Sequence, residues 1–171
     1  MRKWIIILLL TPLIAPMSIW AQNGPGSQTR TVRMSATATI IDNLGLVTMR
    51  DVDLMSPTII DGKITVSPVT SPYAGLMRIA GRAGSMVRIS YLSQETLIET
   101  GGSGGIVRAN YRISGFENDN QAASVLLDIG EANVRIGKDG FYYIWLGAII
   151  DVERATPGGY VSEFIIEMEA N

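Results

Sequence analysis

The chain has 171 residues, of which 14 are basic and 16 acidic, and it contains neither histidine nor cysteine. Without these two residue types the chain cannot use Ser-His-Asp or Cys-His catalysis, and it has no disulfide and no imidazole to bind a metal. The length suits one domain whose core is large enough to do without a disulfide.

The first part of the sequence has the pattern of a secretory signal peptide. Residues 1–3 give a positive start, residues 4–10 form an unbroken apolar run, and the apolar stretch ends at Ala21. Two prolines interrupt this stretch, which disfavours an uncleaved membrane anchor. The sequence therefore predicts a signal peptide over residues 1–21 and a secreted protein.

The charge of the exported chain follows from that cleavage. Removing Arg2 and Lys3 leaves 12 basic and 16 acidic residues, a net charge of −4. Such a chain does not favour nucleic acid or anionic membranes as partners. Residues 22–30 are polar and contain a Gly-Pro-Gly run, so they predict a flexible mature N-terminus, with residues 31–171 as a single domain.

The first strand is predicted over residues 31–41, where apolar and polar residues alternate. Its apolar positions are Val32, Met34, Ala36, Ala38 and Ile40. This alternation is also what a strand needs to complete the sheet of a neighbouring subunit, so these residues are candidates for assembly. Further apolar runs at 44–54 and 64–66 predict two more strands, separated by the turn signal Asp61-Gly62.

The middle of the chain predicts two hairpins, one from residues 76–83 and 86–92 and the other from 125–129 and 132–136. Between the hairpins lie two predicted strands and one helical turn, at 96–99, 106–116 and 120–124.

The C-terminal part predicts a third hairpin. Residues 141–152 are apolar on both sides, which indicates a central strand, and a Thr-Pro-Gly-Gly turn separates them from residues 158–171. This last strand alternates, and its predicted buried side and assembly candidates are Tyr160, Phe164, Ile166 and Met168. Glutamates on its other side indicate an edge strand. Nine or ten short strands and no helical period predict an all-β sandwich or barrel.

The residues that carry chemistry indicate no reaction and no cofactor. A Ser-Lys pair would need Lys63 or Lys138, and both lie beside turn signals. Asp51 and Asp53 are two apart on one strand, where solvated charges are the expected interpretation. The segment 101–105 is glycine-rich but lacks the Gly-Lys-Ser/Thr ending of a phosphate loop, so it predicts a flexible hairpin tip.

Two groups of residues have a binding interpretation beside a structural one. Glu117 and Asp119 lie in an oxygen-rich segment and are weak calcium candidates, although a polar turn without metal is the favoured interpretation. Tyr142, Tyr143 and Trp145 suit a carbohydrate platform, but a strand that is apolar on both sides favours a place in the core.

The order of several motifs resembles a family of secreted bacterial domains of unknown function, over about residues 32–169. The shared landmarks are the segments 36–41, 53–54, 62–68, 79–84, 87–90 and 159–166. The family ends in a Gly-x-Tyr-x-Gly-x-aromatic strand; here Ser162 stands for the second Gly, and Met55-Ser56 stands where the family has an aromatic residue followed by Gly. The resemblance implies an immunoglobulin-like (pilin-like) antiparallel β-sandwich.

A looser similarity is to chaperone-assembled fimbrial subunits, whose last strand has a Gly fourteen residues from its end. Gly158 occupies that position, although Ala170 replaces the usual penultimate aromatic residue and the cysteine pair is missing. The similarity implies a structural or adhesive subunit, or an accessory, of a bacterial surface fibre. It also implies self-association, other fibre proteins or a periplasmic chaperone as partners. The alternative is a stand-alone periplasmic or extracellular domain that recognises a glycan or protein through its loops.

Overall fold

The protein is all-β and is built from two sheets. The computed structural model describes the backbone of residues 30–40 and all atoms of residues 44–170. In chain order, the strands of this part are β1 (Arg30–Ile40), β2 (Gly45–Arg50), β3 (Lys63–Val66), β4 (Gly75–Ala80), β5 (Met86–Tyr91), β6 (Gln94–Ile98), β7 (Ile106–Phe116), β8 (Val125–Leu126), β9 (Glu131–Arg135), β10 (Phe141–Asp151) and β11 (Gly158–Ala170). The predicted signal peptide and the predicted flexible segment 22–29 lie outside the described residues.

The first sheet, sheet A, has the order β1-β11-β5-β9. The pairs β11–β5 and β5–β9 are antiparallel, whereas β1 runs parallel to β11 along eleven residue pairs, from Arg30↔Gly158 to Ile40↔Met168. The last strand of the chain is therefore flanked on both sides. Its prediction as an edge strand is wrong, because the first strand takes the edge position.

The second sheet, sheet B, has the order β2-β4-β10-β7-β6 and is antiparallel. Its central strand is β10, which pairs with β7 on one side and with both β4 and β3 on the other. The short strand β8 adds to the end of β7. The prediction of a central strand from the apolar run at 141–152 is confirmed.

The core lies between the two sheets and is formed by alternate residues of their strands. In β10 the inward positions are Ile144, Leu146, Ala148 and Ile150, with exposed fractions of 0–3 %. In β11 Phe164 and Ile166 are buried at 1 % and 0 %, while Glu163 and Glu167 are exposed, as the alternation predicts. The arrangement is that of a sandwich-like all-β domain.

The three predicted hairpins are wrong, although the strands themselves are confirmed. β4 pairs in sheet B and β5 in sheet A, β8 pairs with β7 and β9 with β5, and β10 and β11 lie in different sheets. Each short turn carries the chain from one sheet to the other instead of folding it back within one sheet. A turn within one sheet and a turn that crosses to the other sheet have the same local sequence signal. The signal therefore predicts where a strand ends but not which strand it pairs with.

Two predicted local features are confirmed. The helical turn is a 3₁₀ turn over Gln121–Ala123, whose N-cap Asn120 accepts a hydrogen bond from the backbone N–H of Ala123. The Asp61-Gly62 turn joins Ile60 to Lys63, and both of its central residues have positive φ, 48° and 69°. Two positive φ values are characteristic of the tight two-residue turn, which Asp and Gly tolerate best.

Candidate functional site

The pairing of the first and last strands brings together the residues predicted for assembly. In register, Val32, Met34, Ala36, Ala38 and Ile40 are paired with Tyr160, Ser162, Phe164, Ile166 and Met168. All five partners on β11 are buried, at 0–2 % exposure. The side chains of β1 lie outside the described residues, so the finding concerns backbone pairing and register.

The middle of β11 packs against aromatic rings from both sheets. The Phe164 ring lies 5.6 Å from that of Tyr91 in sheet A and 5.3 Å from that of Tyr111 in sheet B, measured between centroids. The second pair is edge-to-face, with an interplanar angle of 69°, which is a favourable arrangement for two aromatic rings. Phe164 therefore links the two sheets at the centre of the core.

A buried polar cluster lies beside Phe164 and was not predicted from the sequence. The Ser162 hydroxyl donates to a carboxylate oxygen of Glu95 at 2.5 Å and is 2.6 Å from the Tyr111 hydroxyl, which is itself 3.2 Å from the same carboxylate. Burial raises the pKa of Tyr111 to about 12, so the phenol keeps its proton. The cluster joins β11 of sheet A to β6 and β7 of sheet B.

The glycine-rich segment is held by a second buried carboxylate, that of Glu99. It accepts hydrogen bonds from the backbone N–H groups of Gly101 and Ser103, at 2.7 and 3.0 Å, and from the Ser103 hydroxyl. These hydrogen bonds lower the pKa of Glu99, and the bond from the backbone N–H of Ser103 makes the largest contribution. The Ser103 hydroxyl also contacts that of Thr156, so the tip is attached to the turn before β11. The segment joins the antiparallel strands β6 and β7, so the predicted hairpin tip is confirmed, and Glu99 anchors it at one end. Its flexibility stays a prediction.

The acidic residues that were considered for catalysis have structural partners or lie in solvent. Asp53 accepts hydrogen bonds from the backbone N–H groups of Met55 and Ser56, at 2.8 and 3.0 Å, and its hydrogen bonds to Ser56 lower its pKa. Asp51 is exposed, and so are Lys63 and Lys138. Within residues 44–170 no Ser-Lys hydrogen bond forms at either lysine.

The two calcium candidates lie at the end of β7. Glu117 and Asp119 are exposed, and Glu117 lines a shallow surface cleft with Asn118, Lys138 and Asp139. Among the described residues, no group of three or more carboxylates is close enough to hold a metal ion. Calcium binding here stays a prediction from the sequence.

The three aromatic residues of β10 that suit a carbohydrate platform, Tyr142, Tyr143 and Trp145, lie on two different faces of sheet B. Tyr142 points inward: a Cβ atom added to Gly115 would lie 2.5 Å from its hydroxyl, and burial raises its pKa to about 12. Tyr143 and Trp145 point to the outer face, where their rings stack with centroids 6.4 Å apart and an interplanar angle of 28°. The core interpretation is confirmed for Trp145, which belongs to the buried core cluster, and Tyr142 and Tyr143 are partly buried and pack against that cluster.

Trp145 is only 1 % exposed because the chain between β3 and β4 covers this part of the outer face. A Cβ atom at Gly147, the next outward position, would lie 2.3 Å from the Val66 carbonyl oxygen and 2.6 Å from Pro68. The covering segment is held in place by Gln121, whose side-chain amide donates to the carbonyls of Pro68 and Ser71 at 3.0 and 2.9 Å. The outer face of sheet B therefore has a covered half around Trp145 and an open half around Tyr143.

Comparisons with protein-family models and with curated proteins find no match. In the part of the chain that the structure describes, no helix is long and apolar enough to span a membrane.

Proposed function

We propose that this chain is an exported, non-catalytic protein with an immunoglobulin-like (pilin-like) sandwich, and that it serves as a structural or adhesive subunit, or an accessory, of a bacterial surface fibre. The observation that carries the proposal is the parallel pairing of β1 with β11 at the edge of sheet A. The N-terminal segment thus completes a sheet to which it has no hairpin connection.

The geometry of this pair supports a role in assembly. Main-chain hydrogen bonds hold an added strand, and alternate side chains on the neighbouring strand select it. Here the neighbouring strand supplies a continuous row of buried positions from Tyr160 to Met168. A strand that reaches its sheet through a separate crossover is also an element that identical chains can exchange with little loss of contacts. The favoured state is nevertheless self-complete, with β1 in its own sheet.

The polar groups of the domain support a structural role rather than a reaction. The carboxylates of Glu99 and Asp53 are already engaged by backbone N–H groups, and that of Glu95 is engaged by two hydroxyls. Carboxylates that are saturated with donors hold turns and sheets together and are poor proton acceptors.

A second function, that of a stand-alone binding domain for a glycan or protein, is favoured by a different observation. The Tyr143 ring is partly exposed on the outer face of sheet B and is stacked on the buried Trp145. Rigid aromatic rings at a surface are typical of recognition sites. The two functions are compatible in an adhesive subunit.

The test is to locate the protein on intact cells. Immunogold electron microscopy should show labels along surface filaments, and mass spectrometry of the same material should show an N-terminus near Gln22. Label confined to the periplasm or medium as single particles would favour the stand-alone binding domain. An intact Met1 in the cytosol would contradict both functions.

A further inference from the structure

The open half of the outer face of sheet B carries a row of residues that the proposed fibre role leaves unexplained. Across four strands, Val47 is paired with Arg78, Arg78 with Tyr143, and Tyr143 with Phe116. Phe141 lies two positions before Tyr143 and is on the same face. These positions alternate with the inward residues of each strand, so the row points away from the core. We call the residues Arg78, Phe116, Phe141 and Tyr143 the aromatic face.

The rings of the aromatic face are partly exposed. Phe116, Phe141 and Tyr143 are each partly exposed, and the neighbours of Phe141 on β4 and β2 are the small residues Ala80 and Gly45. The covered Trp145 supports Tyr143 from the side. The rings are therefore held in place while part of their surface remains accessible to a ligand.

Arg78 is the unusual member of this face. Its guanidinium carbon lies 4.6 Å from the centroid of the Phe141 ring, and its Nε is buried without a hydrogen-bond partner within the described residues. The ion pair formed in residues 44–170 is that of Arg88 with Glu169, so Arg78 has no carboxylate partner there. The cation–π contact holds the guanidinium in place, and its Nε–H has no acceptor among the described residues, so the group is positioned to bind an anion from outside.

The charges around the aromatic face restrict the chemical class of the ligand that it can bind. Arg78 supplies the cation of the face itself, and the adjoining cleft has Lys138 beside the carboxylates of Glu117 and Asp139. Glu117 follows Phe116 directly, and Asp139 accepts a hydrogen bond from the backbone N–H of Phe141 at 3.2 Å. A polymer with a phosphate at every unit would meet these carboxylates, and the exported chain is acidic overall. The face thus suits a ligand with flat apolar surfaces and isolated negative charges.

We propose that the aromatic face binds an acidic carbohydrate, with a sugar ring stacked on the exposed part of Tyr143 and a sugar carboxylate held by Arg78, which the Phe141 ring positions. The planar guanidinium is suited to a carboxylate because it donates two parallel hydrogen bonds. The apolar C–H faces of a sugar ring fit the electron-rich faces of the aromatic rings. The binding site and the proposed fibre role can be tested separately, because the first is measured by ligand binding and the second by assembly.

The experiment titrates the purified exported chain with two hexasaccharides that differ in their carboxylates. One is a hyaluronan fragment, with one carboxylate in every second sugar, and the other is a neutral chitin fragment. Trp145 is the one tryptophan in residues 22–171, so its fluorescence reports on the neighbouring Tyr143, and calorimetry gives the affinity. Hyaluronan should bind at least about tenfold more tightly than chitin, as expected for a charge-assisted contact.

Matched variants separate the site from general charge effects. Arg78→Gln should weaken hyaluronan binding about tenfold and leave chitin binding unchanged, whereas Tyr143→Leu should weaken both. Arg108→Gln, which removes an exposed arginine at the far end of the same sheet, should change neither. Arg78→Met should keep a thermal midpoint close to that of the wild type, because Met retains an apolar contact with the Phe141 ring and removes the Nε–H that has no acceptor.

Four results would overturn the proposal. Equal affinity for the two hexasaccharides would show that the carboxylate is not recognised. Hyaluronan binding that survives Arg78→Gln would place the site elsewhere. Tighter binding of a single-stranded oligothymidine that depends on Arg78 would identify a nucleic-acid surface instead. A large loss of stability in Arg78→Met would show that the arginine serves the fold.

Discussion

The Ser162 hydroxyl, enclosed between the two sheets, shows how single residues hold this domain together. Its contacts with Tyr111 and Glu95 connect residues that are 51 and 67 positions away in the chain. The alternation of the last strand predicts that position 162 is buried, and this is confirmed. The identity of its polar partners could not be predicted, because nothing local to Ser162 indicates which distant side chains will face it.

Truncation of Phe164 should have a much larger effect than truncation of its exposed neighbour. We expect Phe164→Ala to lower the free energy of unfolding by about 3–5 kcal/mol, since it removes a ring that packs on Tyr91 and Tyr111. Glu167→Ala should change this free energy by less than about 0.5 kcal/mol. Urea denaturation of both variants measures the difference, and equal small effects would mean that the register of β11 is incorrect.

The lowered pKa of Glu99 predicts how the stability depends on pH. Because the folded state holds the ionised carboxylate, its contribution is fully present above the ordinary pKa of 4.5 and is lost as the pH falls through the lower folded-state pKa. Glu99→Gln should therefore be less stable than the wild type at neutral pH, and the difference should shrink in acid. Thermal midpoints measured over this range provide the check, and a difference that stays constant with pH would contradict it.

At the scale of elements, the covering segment over Trp145 is a distinct unit of packing. Gln121 holds it through two hydrogen bonds, so Gln121→Ala should lower the stability by about 1–2 kcal/mol. The emission of Trp145 should shift to the red and become more accessible to acrylamide. Gln94→Ala, on the exposed edge strand β6, is the control that should leave the emission unchanged. Unchanged emission in both variants would show that other contacts cover the ring.

Strands and their pairing differ in how far the sequence predicts them. The positions of β1, β7, β10 and β11 follow from alternation and apolar runs, which are local properties. The assignment of β4 and β5, or of β10 and β11, to different sheets depends on contacts between distant segments. The aromatic face has the same origin, because Arg78 and Phe141 are brought together by the pairing of β4 with β10.

The role of β1 gives a prediction at this scale. A chain of residues 22–171 should be a monomer that melts cooperatively, because β1 completes its own sheet. Deleting residues 22–41 should lower the thermal midpoint, and adding a peptide of residues 30–40 should restore it, whereas a peptide of scrambled order should not. Heat-resistant oligomers of the intact chain that disappear with the deletion would instead show that β1 is exchanged between subunits.

On the scale of the whole molecule, the two proposed roles use two different surfaces. The edge of sheet A carries the parallel β1–β11 pair, and the outer face of sheet B carries the aromatic face. The proposed roles, assembly at the first surface and ligand binding at the second, are together those of an adhesive subunit. The proposed assembly does not depend on the ligand, so each surface can be altered without the other.

The measurement that tests the proposed function most directly is the mass distribution of material sheared from the cell surface. The sheared fraction is cross-linked, separated on a denaturing gel and probed for this chain. If the chain is part of a fibre, the gel should show a regular ladder of cross-linked species. Each species should contain this chain without residues 1–21. The same ladder should form with the Arg78→Gln variant. A single band at the mass of the monomer, with the protein absent from the sheared fraction, would contradict the proposed function.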